Sequence, residues 1–344
     1  MARYIIRRSL GVVVLLLIIS IITFGVFFLI PADPALSSCG KGCNPQTLKE
    51  IHAKLGLDKP VFFAYPPTQS QYGSFLKGLV VGRDFVGGGS SIHCDVPCFG
   101  YSFKTDAPVW PMLTDRIPVT LSIAVGSAIL WLVMGLSTGI LSALKRGSGF
   151  DRGAMGVALA GVSLPVFFTG LVALYLLCNE GVHLGALVIH PFGYPAYKPF
   201  LGDPVGWFKN LLLPWFTLAF LYAALYARLT RANMLETMGE DYIRTARAKG
   251  LPESKVVRKH GLRAALTPIV TIFGLDLGGL LGGAIITETI YNFHGLGQFA
   301  ILAITNIDLP EILGVTLFAA FFIVVANLVV DVLYAFVDPK VKYS

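Results

Sequence analysis

The chain has 344 residues, of which 55% are hydrophobic and 14% charged, with a mean hydropathy of +0.70. Soluble domains are nearer a quarter charged, so this composition excludes an ordinary soluble globule and makes a bilayer the expected solvent. The net charge of +7 sits mostly in short loops between apolar runs, which speaks for membrane topology and against nucleic-acid binding.

A spanning helix needs roughly 20 apolar residues to cross about 30 Å of hydrocarbon. Six runs meet that length, at about 9–30, 118–144, 153–178, 210–230, 265–289 and 310–336. The expected class is therefore an all-α membrane protein with six transmembrane helices. The first run follows Arg3, Arg7 and Arg8. Its apolar core of about 20 residues exceeds the roughly 7–15 of a signal peptide, so it is expected to stay as a span.

Residues 31–116 form the one long insertion. Within it, Thr47 to Pro60 reads as a short helix, with Thr47 as cap, Glu50 three residues later and Gly56 as stop. The stretches YPPTQSQYG and VGGGSS read as turns. Four cysteines lie in this insertion, Cys39, Cys43, Cys94 and Cys98. An extracytoplasmic location favours disulfides over zinc, because Cys-x3-Cys is looser than the usual zinc half-site. Their pairing stays open among three possibilities. Cys178, near the end of the third run, reads as a buried thiol.

Later in the chain, Gly135 and Gly139 lie four apart, as do Gly278 and Gly282, and Gly279 and Gly283. That spacing reads as ordinary close helix packing. Pro165, Pro214 and Pro268 fall inside or at the ends of three runs, which packed spans tolerate. Lys and Arg concentrate in alternate short loops. The positive-inside rule then places both termini in the cytoplasm, and the long loop after the first helix outside. The organisation is an N-terminal helix (1–30), an extracytoplasmic cap (31–116) and a five-helix core (117–344) with a polar cytoplasmic loop at about 232–264.

That loop is the most patterned segment. Glu240 and Asp241 open a run of helix formers, with Arg244, Thr245, Ala246, Arg247 and Lys249 following. Gly250 can stop the helix in the left-handed region, and Leu251 follows. Pro252 and Glu253 start a second helix that carries Lys255, Arg258, Lys259 and His260. A snorkelling helix on anionic lipid would need only basic residues and grease. The glycine break and the acidic residues fit a protein partner better. Two acidic residues lie in or beside the fifth run. Asp276 sits mid-span and Glu288 near the outer end of the same span, and both are expected to line a substrate route. The chain has no GxxxxGK[ST], HExxH or GxSxG, so no catalytic constellation or metal site is expected. An ion-coupled secondary transporter is the alternative; it would show paired broken helices or inverted repeats, and no convincing repeat is visible.

The stretch DYIRTARAKGL…HGLRAALTPIV resembles the cytoplasmic loop of ABC-importer permeases, most closely their dipeptide/oligopeptide (peptide/nickel) branch. The N-terminal RYIIRRSLGVVVLLLIISIITFGVFFLIPADP, LGLDKP, ITETIYNFHGLGQF and NLVVDVLYAFVDPKVK are similar to the same branch. The general importer pattern is Glu-Ala-Ala, three residues, then Gly. Here Arg244, Thr245 and Ala246 take the first three places, so only Ala246 and Gly250 match, a departure typical of the peptide branch. The cysteine-bearing loop departs from the family more strongly. The resemblance implies a type I importer permease fold and a role as one of two paralogous permease subunits. It implies two P-loop ATPase partners, which bind ATP and Mg, an extracytoplasmic binding protein, and no cofactor on this chain. The loop would be the coupling helix, and the cargo a peptide, with nickel complexes or sugars as other cargoes of the branch.

Overall fold

A computed structural model of the chain describes residues 2–29, 35, 43–55, 57–87, 90–102, 104–180, 182–184, 187–189 and 193–337. The bundle is built from α1 (Ala2–Leu29), α4 (Val109–Thr114) running almost directly into α5 (Ile117–Leu144), α6 (Gly149–Ser163), α7 (Val166–Leu174), α8 (Pro204–Gly239), α11 (Leu262–Leu281) and α14 (Leu309–Val337). Among the described residues, five helical segments are long and apolar enough to cross a membrane, and the α6–α7 pair makes a sixth if counted as one bent span. Between α1 and α4 lies a cap whose described residues include two helices, α2 (Pro45–Leu55) and α3 (Gln71–Val81), and two hairpins, β1–β2 (Arg83–Gly87 with Ser90–Cys94) and β3–β4 (Tyr101–Ser102 with Ala107–Pro108). The bundle end that carries it is the cap end; the opposite end, where α5 and α8 finish, is the loop end. A third hairpin, β5–β6 (Val182–Leu184 with Leu187–Ile189), links α7 to α8.

α5 and α8 run parallel in the most extensive packing of the bundle. The Gly135 and Gly139 spacing works here. A Cβ on Gly135 would stand 2.7 Å from Tyr226 Cβ, and one on Gly139 2.6 Å from the Ala227 carbonyl. Backbone cannot yield as a side chain can, so these glycines set the closeness of the helices. Around them Trp131 stacks on Tyr222 at 4.6 Å and meets Tyr226 and Phe273 at about 6 Å. α11 packs antiparallel on α14, and α14 also carries α1.

The third apolar run is not one helix. Leu164 is extended because it precedes Pro165, and α6 and α7 meet at 99°. The fifth run is shorter than its apolar length suggests. α11 ends at Leu281, Gly283 takes φ 136°, and a separate short helix, α12 (Ile285–Ile290), follows. Glu288 therefore does not share a helix with Asp276, which corrects the expectation from sequence. α13 (Leu296–Asn306) then leads to α14.

The cap differs in detail from its sequence reading. Asn44, not Thr47, caps α2, accepting from the Thr47 N–H at 2.7 Å and its hydroxyl at 2.9 Å. α3 occupies part of the stretch read as turns, because Ser70 accepts from the Gly73 N–H and caps it. Cys94 and Cys98 are joined by a disulfide, Cys43 is also disulfide-bonded, and Cys39 lies outside the described residues. Phe24, Phe62, Tyr72 and Phe75 seat the cap on α1, and Leu313 and Leu317 bring in α14. Ser102 donates to Asp308 at 2.5 Å and Thr105 to Glu311 at 3.1 Å, both acids being buried near the start of α14.

At the loop end, Asp151 is 3% exposed. Arg231 grips it with two bonds of 2.7 and 2.9 Å, the Gly147 N–H donates at 2.9 Å, and Ser142 donates from the end of α5. One carboxylate thus ties α5, α6 and α8. Arg231→Met leaves that carboxylate buried without its counter-charge, and removing one partner of a buried pair costs about 3–5 kcal/mol. The expected outcome is a clear drop in the thermal midpoint of the detergent-purified chain. An unchanged midpoint would show that the clamp contributes nothing.

Candidate functional site

The segment between α8 and α11 spans residues 240–261, shorter than the 232–264 read from sequence, because α8 runs helical to Gly239 and α11 starts at Leu262. Glu240 turns the chain with extended backbone and its carbonyl accepts from the N–H groups of Ile243 and Arg244. α9 (Asp241–Ala248) follows, with Asp241 in its first turn and Arg247 in its last, as the helix dipole favours. The helix then stops on a Schellman motif. The Gly250 N–H donates to the Arg247 carbonyl at 2.9 Å and the Leu251 N–H to the Ala246 carbonyl at 3.4 Å. Gly250 has φ 74°, the left-handed conformation that favours glycine. Pro252 starts α10 (Glu253–Lys255), and a π-helical turn, Val256–Gly261, joins it to α11.

Two interactions hold this helix pair together. Ile243, Ala246 and Val256 form a small buried core with Met238 and Leu251. Across the break, Arg247 clasps Glu253 through bonds of 3.1 and 2.6 Å, and that carboxylate raises the Arg247 guanidinium above its ordinary range. Arg244 lies 3.1 Å from Asp241 on the same helix. Exposed pairs of this kind contribute little to stability. What they do is fix the direction of the guanidinium groups. Tyr242, Arg244, Thr245, Lys249 and Lys255 remain on the surface, while His260 is half-buried. The structure brings Glu240, Asp241, Arg244, Thr245, Ala246, Arg247, Lys249, Gly250, Leu251 and Lys255 into one compact projection, with His260 on the turn beside it. It is a preformed, amphipathic, cationic knob.

The two intramembrane acids sit in different settings. Asp276 is half-buried on α11 and accepts a 2.8 Å bond from Tyr226, beside the Trp131–Tyr222 stack. Glu288 is wholly buried. One of its oxygens accepts from Thr120 at 2.8 Å and from the Ala284 N–H at 3.1 Å; the other accepts from the Gln298 N–H at 2.9 Å. Thr120 in turn accepts from the Leu296 N–H at 2.8 Å. Glu288 is therefore an internal anchor for the chain reversal between α11 and α13. The sequence expectation that it lines a route is corrected, because no face of it is open. Sequence reading also missed Asp151, Arg231, Ser142 and Thr120. The Ser148-x-x-Asp151 capping pattern was a local signal for the first; Thr120 carried none, being 168 residues from Glu288.

Residues 135–343 match the model of the binding-protein-dependent transport system inner membrane component, and residues 1–124 match that of its N-terminal region. The chain belongs to this permease family. It is a multi-pass protein of the bacterial inner membrane. It is 37% identical over 344 residues to a protein of Brucella abortus provisionally named a peptide transport system permease, covering the whole of both chains. It is 36% identical over 361 residues to the dipeptide transport system permease protein DppB of Escherichia coli K12, again over the full length of both. DppB of Alkalihalophilus pseudofirmus is 34% identical over 355 residues and both full lengths.

Glu288→Gln keeps the shape of the anchor but replaces one acceptor oxygen with an amide that cannot accept. A buried donor then loses its partner, at a cost of about 1–3 kcal/mol. The expected result is a lower thermal midpoint with the cargo preference of any residual uptake unchanged. A changed preference with full stability would return Glu288 to the route.

Proposed function

We propose that this chain is one of two permease subunits of an ATP-driven importer of peptides, dipeptides or oligopeptides being the cargo class that its relatives' names carry. The observation that carries the proposal is the 240–261 knob. It is capped at both breaks, has its own small core, and presents Arg244, Lys249 and Lys255 outward. Such a shape suits an acidic groove on a protein, and here the partner is one of two P-loop ATPases. ATP and Mg bind there, which fits the lack of any phosphate-binding loop in this chain. The knob and both termini lie in the cytoplasm, and the cap faces an external binding protein. A paralogous permease supplies the other half of the pathway. Asp276 lines that pathway, with an aromatic wall behind it.

The α6–α7 break at Pro165 is a feature that an ion-coupled transporter also uses, since discontinuous helices build its binding site. The two readings part on the energy source. In the ATP-driven case, Gly250→Pro forces φ negative where the Schellman stop needs φ 74° and removes the N–H given to Arg247. The chain should still insert, while uptake falls to background and P-loop ATPases vanish from a mild-detergent pull-down. Uptake that persists without an ATPase and follows an ion gradient would refute the proposal. Asp276→Asn is expected to lower peptide uptake with assembly intact. Unchanged uptake would remove Asp276 from the pathway.

A further inference from the structure

α1 meets α14 along its length, but the contact is not uniform. Toward the cap end the two helices close up: Ser20 and Phe24 are buried, and the cap residue Tyr72 shares a 2.7 Å hydrogen bond with Ser20. Toward the loop end they part and leave a groove of about 550 Å³. Its walls are apolar, Leu15 and Ile18 from α1 and Leu328 from α14 among them. Arg8, on the first turns of α1, marks its polar end, and Asn327 adds a polar side chain to its lining. Gly11 opens the floor, since a Cβ there would have no neighbour within 4 Å.

The dimensions identify the occupant. From Arg8 to Ile18 is ten residues of helix, ~15 Å along the axis, which is one leaflet of a hydrocarbon core of about 30 Å. A transmembrane helix of another subunit would need the full depth, and the cap-end contact at Ser20 closes the groove at half of it. An acyl chain needs one leaflet. The charge at the polar end selects the headgroup. Arg7 and Arg8 are exposed on the first turns of α1, and basic pockets between spans take anionic headgroups. A guanidinium has five N–H donors, so Arg8 can keep contacts within the protein and still donate to a phosphate. The geometry points to a structural anionic-phospholipid site between α1 and α14, with one acyl chain in the groove and its phosphate at Arg8.

The test uses the full-length chain, purified with its companion subunits and placed in nanodiscs of equal phosphatidylglycerol and phosphatidylcholine, then extracted into mild detergent, with retained lipid and retained subunits measured by native mass spectrometry. The wild-type chain is expected to keep phosphatidylglycerol about fivefold over phosphatidylcholine, the preference that one basic residue near a phosphate confers. Arg8→Gln brings the ratio close to one, and Arg8→Lys keeps most of it. Gly11→Leu, which fills the floor but leaves the charge, lowers retention of both lipids without lowering the thermal midpoint. Equal retention by the wild-type chain, an unchanged ratio in Arg8→Gln, or lipid retention untouched by Gly11→Leu would each overturn the site. Loss of a companion subunit in place of lipid would do the same, and would assign the groove to a protein.

Discussion

Hydrocarbon offers no partner to a backbone N–H or C=O, so every break in a spanning helix must be satisfied from inside the protein. That constraint orders this structure. Where α11 stops, the freed N–H of Ala284 and the N–H of Gln298 both find the carboxylate of Glu288. Where α5 gives way to α6, the Gly147 N–H finds Asp151. The buried acids are not isolated charges in a greasy core. They are the acceptors that let the chain reverse within or beside the membrane.

The same constraint explains why much of the fold is legible in the sequence and part of it is not. Apolar length reports where helices can span: four of the six runs lie within single long helices, and the fifth gives a long helix that stops short of the run's end. Leu164–Pro165 was also readable in principle, since the residue before proline is pushed from the helical region, but tolerance of proline in spans argued the other way. The stop at Gly282–Gly283 was hidden because apolarity continues past it; only the close approach of Gly283 to Gly297, 2.7 Å from an added Cβ, reveals why the helix must end there. In the cap, Ser70 carries a local capping signal for α3, but Pro66 and Pro67 just before it and Gly73 just after are equally turn signals, so the local pattern alone does not separate helix from turn.

The knob was legible because its determinants are local. A glycine at C′, a proline after it and acidic residues at both starts act over a few residues, and the structure adds what pattern cannot supply. Arg247 spans the break to Glu253, and Ile243 meets Val256 beneath it. These contacts make the projection rigid before any partner arrives. A preformed element loses less entropy on docking than one that must order.

The two membrane acids then separate by what their oxygens already do. A carboxylate offers about four acceptor positions. Glu288 gives its positions to a hydroxyl and to backbone amides, and no face of it is open. Asp276 takes one bond, from Tyr226, and is half-buried. It keeps acceptor capacity on its open side while the buried tyrosine fixes its orientation. A carboxyl group at mid-span that retains unused acceptors is costly to keep unless something visits it. Under the function proposed above, a peptide's amino terminus or amide N–H groups would be such visitors, and Asp276 offers them an open acceptor where the buried Glu288 does not.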